Sequence, residues 1–153
     1  MKRHLDELNV GDRFTSGTHR IDAADIKAFA AQFDPQPFHL DEEAARRSLF
    51  GGLIASGWHT AAIAMRLMID GGLPIAGGII GTAADLRWLL PVRAGDELHV
   101  VCEILEIKPS TSKPDRGVVW VRGTTINQRG EPVTVAETTV IAFRRGAANA
   151  VTT

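Results

Sequence analysis

The chain has 153 residues, 44% of them hydrophobic and 23% charged, which is typical of one globular domain with a substantial core. Its formal net charge of −1 offers no basic field for nucleic acid, and its single cysteine, Cys102, excludes an internal disulfide and a cysteine-based zinc site. Residues 1–12 lack the apolar segment of a signal peptide, and no stretch is long enough to span a bilayer. The sequence therefore predicts a cytoplasmic protein.

The first helix signal stands at Asp22, a good N-cap residue with Asp25 in the first turn. Apolar residues then recur at helical spacing across 26–33. Pro35 should end this helix, because the residue before a proline disfavours the α region. Pro37 is expected to keep the following segment extended, so that a stiff turn projects from the end of the helix.

Two more helices are predicted before the character of the chain changes. Asp41 is placed to cap a short helix that runs through Arg47. From Trp58 to Ile69 the apolar residues describe a long, mostly buried helix, which the glycine pair at 71–72 ends. This helix has more apolar surface than one sheet face can cover, which indicates a dimer.

The second half of the chain predicts antiparallel strands, over 85–90, 98–107, 118–126 and 133–143, separated by turns and a polar loop. Helices followed by strands favour an α+β architecture, in which the sheet packs against the long helix. Residues 1–146 form one predicted domain, and residues 147–153 a disordered tail.

The segment 34–41, DPQPFHLD, combines the carboxylate of Asp34 with the imidazole of His39 across a turn that two prolines stiffen. General acid–base groups must be held in place, and a histidine beside a carboxylate can titrate near neutral pH. Downstream, Gly57 lies at the start of the long helix. Unpaired N–H groups and the helix dipole favour an oxyanion there, and glycine admits a carbonyl close to the backbone.

These residues resemble a known family. DPQPFHLD at 34–41, followed by LIASG at 53–57, resembles the hydratase-2 motif of the MaoC-like dehydratases, which are hotdog-fold enzymes related to the (R)-specific enoyl-CoA hydratases. LPVRAGDEL at 90–98 is also similar to that family. The resemblance covers about residues 8–143 and implies a hotdog fold, an antiparallel sheet wrapped around a long central helix.

The resemblance also implies a mechanism. Asp34 and His39 would jointly activate a water that adds to C3 of a 2-enoyl thioester, while the backbone N–H of Gly57 polarises the thioester carbonyl. The substrate-binding candidates are Gln36, where the family usually has Asn, Ser56, where it often has His, and Trp58. The implied partners are an acyl-CoA substrate and a second copy in a homodimer or larger homo-oligomer, with neither nucleic acid nor membrane. Coenzyme A enters as part of the substrate, and no separate cofactor or metal is expected.

Two other functions stay open at this level. A hotdog thioesterase would more naturally carry its carboxylate on the long helix, whereas 58–69 contains none. A non-catalytic acyl-CoA-binding protein would not need the Asp34, His39 and Gly57 set. Each of these residues also has a structural interpretation, since an aspartate can end a helix and a glycine can permit close packing.

Overall fold

The computed structural model describes residues 1–147, so all of the predicted tail except Ala147 lies outside the described residues. A 3-10 turn (Leu5–Glu7) begins the chain, and a π-helical turn (Met68–Gly72) follows the fourth helix. The helices are α1 (Ala23–Phe33), α2 (Pro37–Leu40), α3 (Glu42–Arg46) and α4 (Gly57–Leu67). The strands are β1 (Arg13–Thr15), β2 (His19–Arg20), β3 (Ile80–Trp88), β4 (Glu97–Pro109), β5 (Arg116–Ile126) and β6 (Pro132–Phe143).

The strands form one antiparallel sheet in the order β1-β4-β5-β6-β3, and β2 pairs with β4 beside β1. One sheet face packs against α4, where Ile63 and Leu67 join Val100, Cys102 and Val121 in the buried core. The predicted α+β hotdog architecture is confirmed. Strands β1 and β2 were not predicted, because two or three residues are too few to show alternation.

Both ends of helix α1 lie where the sequence predicts them. The Asp22 side chain accepts a hydrogen bond from the N–H of Asp25 at 2.8 Å, which satisfies one free donor of the first turn. At the other end, the N–H of Asp34 donates to the carbonyl of Ala30 at 2.9 Å, and Pro35 prevents a further turn. Asp34 is therefore fixed at the exit of a packed helix.

The expectation that Pro37 keeps the next segment extended is wrong. Pro37 is the first residue of α2, a position where its missing N–H is not needed and its fixed φ already suits a helix. The short helix turns the chain back, and His39 within it is only 4% exposed. The proline pair thus places the imidazole beside α1 instead of leading it away.

Helix α4 is buried on one face only. Ile63 and Leu67 lie in the core, whereas Trp58, Met65 and Ile69 are 62%, 40% and 50% exposed along one stripe that continues past the helix end. The prediction of a mostly buried helix therefore fails for the single chain. Strand β3, at the edge of the sheet, is exposed along nearly its whole length. Within residues 1–147, no helix has the length and apolar character to cross a membrane.

Candidate active site

A cleft of about 420 Å³ opens where α2, the start of α4 and the end of β3 meet. Of the six site residues predicted from the sequence, five line this cleft: Asp34, Gln36, His39, Gly57 and Trp58. The sixth, Ser56, is fully buried immediately before α4 and contacts Asp34. The fold thus brings together two segments that are about twenty residues apart in the chain.

Asp34 and His39 face each other at the base of the cleft, with His39 Nε2 3.3 Å from Asp34 Oδ2. On the other side of the ring, His39 Nδ1 lies 2.7 Å from the carbonyl oxygen of Ile54. Because a carbonyl only accepts, we assign the proton to Nδ1, which leaves the Nε2 lone pair directed at the carboxylate. Two adjacent acceptors of this kind can bind the two O–H groups of one water molecule.

The carbonyl that orients His39 is itself held by the backbone. The N–H of Ile54 donates to the carbonyl of Phe38 at 3.2 Å, and Ile54 forms an isolated antiparallel bridge with Arg93. The imidazole is therefore fixed by the extended segment that precedes α4. Such rigid support is what acid–base chemistry requires of its groups.

The carboxylate of Asp34 is a double acceptor. Ser56 Oγ donates to Oδ2 and Gln36 Nε2 donates to Oδ1, each at 2.7 Å. The hydrogen bond from Ser56 is the main reason that the pKa of Asp34 lies below its ordinary value; burial opposes it, and the hydrogen bond from Gln36 reinforces it. Asp34 is consequently ionised at neutral pH. The sequence predicted Ser56 and Gln36 as substrate-binding residues. The structure shows their contacts with Asp34, and their role in substrate binding stays a prediction.

Ser56 connects the carboxylate to helix α4. As the N-cap residue, it accepts a hydrogen bond from the N–H of Trp58 at 3.3 Å with the same hydroxyl oxygen that serves Asp34. Gly57 is the first residue of the helix, so its N–H has no acceptor within α4. Gly57 lines the cleft, so the positive end of the helix dipole lies at the cleft wall.

Gly57 is required for space and not for backbone conformation, since it is not among the glycines with positive φ. A Cβ at this position would lie 2.7 Å from Cε2 of Trp88 and closer still to Nε1. Trp88 also contacts Trp58 edge to face, with ring centroids 5.1 Å apart. Trp88 was not predicted as a site residue, because its alternation with Leu86 and Leu90 indicates a strand and not a site.

A second, apolar cavity of about 410 Å³ lies between α4 and the sheet. Small side chains line much of it, among them Ala61 and Ala64 of α4 and Ala136 of β6. Thr134, which is 3% exposed, belongs to the walls of both this cavity and the cleft. An extended apolar group attached to a carbonyl in the cleft therefore has a space to enter.

His59 does not belong to the cleft. Its ring stacks on Phe29 of α1, with centroids 4.6 Å apart and an interplanar angle of 4°, and burial lowers its pKa. Among residues 1–147, no three His, Cys, Asp or Glu side chains converge as a metal site.

The hydrogen bonds on Asp34 predict how its pKa responds to substitution. Ser56→Ala and Gln36→Met should each raise the pKa of Asp34, Ser56→Ala more, because each change removes a donor that stabilises the carboxylate. A ¹³C NMR titration of the Asp34 carboxyl measures this directly. Since the folded pKa is below the ordinary value of about 3.9, Asp34 stabilises the fold above that pH, and the contribution is lost as pH falls through the folded pKa. An unchanged pKa in Ser56→Ala would contradict the assignment.

The hotdog sheet thus carries one cleft that holds the Asp34–His39 pair and the first residue of α4. The chain belongs to the family of MaoC-like domains, whose family model, described as MaoC like domain, matches residues 9–127. The chain is thus a member of the MaoC-type hydratases and dehydratases.

Individual relatives agree with this family. The crystal structure of a MaoC-like dehydratase from Rhodospirillum rubrum is 61% identical and superposes with a TM-score of 0.92, over 94% of this chain and 98% of that one. The uncharacterized protein YdeM of Bacillus subtilis (strain 168) is 36% identical over 141 residues, which are 92% of this chain and 99% of YdeM. The 3-hydroxybutyryl-CoA dehydratase of Methylorubrum extorquens is 34% identical over 91 residues, which are 58% of this chain and 56% of that protein.

Proposed function

We propose that this protein is a hydro-lyase that reversibly adds water to the C2=C3 double bond of a 2-enoyl-CoA or a related acyl thioester. The observation that carries the proposal is the geometry of the cleft, where two adjacent acceptors, Asp34 Oδ2 and His39 Nε2, line the same space as Gly57, whose N–H has no acceptor within α4. The name of the 34%-identical dehydratase, which acts on 3-hydroxybutyryl-CoA, supports the same class of substrate.

In the proposed hydration, one water donates its two hydrogen bonds to Asp34 and His39. The pair takes one proton from this water as its oxygen forms a bond to C3, and the electrons of the double bond move toward the thioester carbonyl. Negative charge then develops on the carbonyl oxygen, where the N–H of Gly57 and the helix dipole stabilise it. The pair returns the proton to C2, which completes the addition. In dehydration the same groups remove the proton from C2 and protonate the departing hydroxyl.

The apolar cavity supports an acyl substrate. It adjoins the cleft through Thr134, so a thioester carbonyl held near Gly57 can extend its chain between α4 and the sheet. Burying methylene groups in such a cavity stabilises the complex by about 0.8 kcal/mol each. At about 410 Å³ the cavity has room for a chain of several carbons, and its mainly apolar walls disfavour charged acyl groups.

One assay tests the proposal and separates it from the thioesterase and binding-protein alternatives. The protein is incubated with crotonyl-CoA and a panel of saturated acyl-CoA esters, while enoyl absorbance and released thiol are followed together. We expect loss of enoyl absorbance with no thiol release. Thiol release without hydration would identify a thioesterase, and binding without either change would identify a non-catalytic protein. The reaction is proposed to take place in the cytoplasm.

We further propose a homodimer, which can pair into larger assemblies, formed through the edge strand β3 and the apolar stripe of α4. Trp58, Met65 and Ile69 leave an unusually apolar stripe exposed, and β3 carries unpaired backbone groups along one edge. Two copies related by a two-fold axis can pair these edges into one continuous sheet.

Sedimentation at micromolar concentration should therefore give at least twice the monomer mass. The double change Met65→Lys/Ile69→Lys should shift the protein toward monomers, because it buries two unpaired charges in the interface. Val10→Lys, at an apolar residue that is 63% exposed away from this stripe, is the matched control and should leave the mass unchanged. A stable monomer in the unaltered protein would contradict the dimer.

A further inference from the structure

We propose that the indole N–H of Trp88 is a second hydrogen-bond donor to the thioester carbonyl oxygen, beside the N–H of Gly57. This inference rests on the proposed hydratase function and adds a catalytic residue to it. Trp88 lies at the end of β3 and lines the cleft with Gly57, Asp34 and His39.

The indole lays the face of its five-membered ring, at the nitrogen, over Gly57. The three atoms nearest to a Cβ built on Gly57 are Nε1, Cε2 and Cδ1 of Trp88, with Nε1 the nearest of them. These atoms form the N–H corner of the five-membered ring. The edge-to-face contact with Trp58, with an interplanar angle of 84°, helps to hold the plane of the ring.

The two donors are close enough to share one acceptor. Cε2 lies 2.7 Å from the Cβ position, and Nε1 is closer to that position than Cε2 is. Since a Cβ is about 2.5 Å from the backbone nitrogen of its own residue, the Gly57 nitrogen and Trp88 Nε1 are less than about 5.2 Å apart. Two nitrogens that each donate over about 2.9 Å to one oxygen can be separated by as much as about 5.8 Å. A single carbonyl oxygen in the cleft can therefore accept from both.

The chemistry of the indole suits this position. Its N–H can only donate, so a carbonyl oxygen or enolate is the kind of partner that it takes. An oxyanion site gains most from donors that are already in place when charge develops. Thr134, the cross-strand neighbour of Trp88, is almost fully buried and anchors this end of β3 to β6.

The competing interpretation is that the indole only covers Gly57 and moves aside when substrate enters. Trp88→Phe separates the two, because it keeps an aromatic ring over Gly57 and removes the N–H. If Trp88 donates to the oxyanion, kcat for crotonyl-CoA should fall by roughly two orders of magnitude, with KM nearly unchanged. If Trp88 is only a cover, kcat should stay at the level of the unaltered protein, which would overturn the inference.

Trp120→Phe is the matched control, since Trp120 is also a strand tryptophan, on β5, and does not belong to the walls of the cleft or of the apolar cavity. It should retain kcat within a few-fold of the unaltered protein. A loss in Trp120→Phe as large as that in Trp88→Phe would overturn the donor assignment, because it would trace the loss to a general effect of replacing tryptophan by phenylalanine. Hydration by the unaltered protein in the same assay decides the proposed function separately.

A binding experiment tests the contact without any turnover. The chain has three tryptophans, so a ¹⁵N-labelled sample gives three indole N–H resonances, which Trp58→Phe and Trp120→Phe assign by elimination. Adding butyryl-CoA, which is saturated and cannot be hydrated, should shift the Trp88 indole proton downfield, as expected for a new hydrogen bond to the carbonyl. An unshifted Trp88 resonance at saturating butyryl-CoA would overturn the inference, whatever the outcome of the hydratase assay.

Discussion

Asp34→Asn and His39→Gln should each lower the hydration rate by roughly two to four orders of magnitude, the usual contribution of a positioned acid–base group. Asparagine keeps the shape of Asp34 and removes its charge, and glutamine removes the Nε2 lone pair of His39. The double variant should be little worse than either single variant, because the two groups bind and deprotonate the same water and their effects are not additive. Steady-state kinetics on crotonyl-CoA measures all three.

Asp41→Asn is the control for these variants. Asp41 belongs to the same segment, but its side chain caps α3 by accepting from the N–H of Ala44, and asparagine caps a helix nearly as well as aspartate. Full activity is therefore expected in this variant. Near-normal turnover in Asp34→Asn or His39→Gln, with folding confirmed by circular dichroism, would remove that residue from the mechanism.

Gly57→Val should lower kcat by roughly two to three orders of magnitude, the loss expected for an oxyanion donor that the substrate can no longer reach. A side chain at Gly57 cannot delete the N–H, but it must occupy the space that Trp88 now fills and displace the indole. Gly57→Ala already places a Cβ in that space, so its kcat should lie between those of Gly57→Val and the unaltered protein.

The control is Gly17→Ala, where a new Cβ meets no atom within 4 Å and φ is not positive. Thermal melting should show that the Gly57 variants remain folded, because no unusual backbone angle is lost there. If well-folded Gly57→Val hydrates crotonyl-CoA at the full rate, the carbonyl binds elsewhere, and the oxyanion assignment falls while that of Asp34 and His39 stands.

Local rules were sufficient to predict where Asp34 and His39 lie. The capping aspartate, the helical period and Pro35 together place Asp34 at the end of α1, and the family motif supplies His39 five residues later. The sequence did not predict which groups orient Asp34 and His39, because the carbonyl of Ile54 and the hydroxyl of Ser56 reach them only through the tertiary fold.

Other features depend on contacts that are distant in sequence. Trp88 is 31 positions after Gly57, and only the return of the chain along β3 brings its ring onto the start of α4. The prediction of an extended segment at Pro37 was wrong for a different reason. A proline disfavours the helix before it, but it is also a favourable first residue for the next helix. The exposed face of α4 reflects an apolar pattern that one chain alone cannot cover.

The hydroxyl of Ser56 makes two hydrogen bonds that would be lost together. It donates to the carboxylate of Asp34 and accepts from the N–H of Trp58 in the first turn of α4. When that turn frays, the carboxylate loses its strongest donor at the same moment that the Gly57 N–H loses its direction. Partial opening at this point therefore affects the Asp34 carboxylate and the start of α4 together.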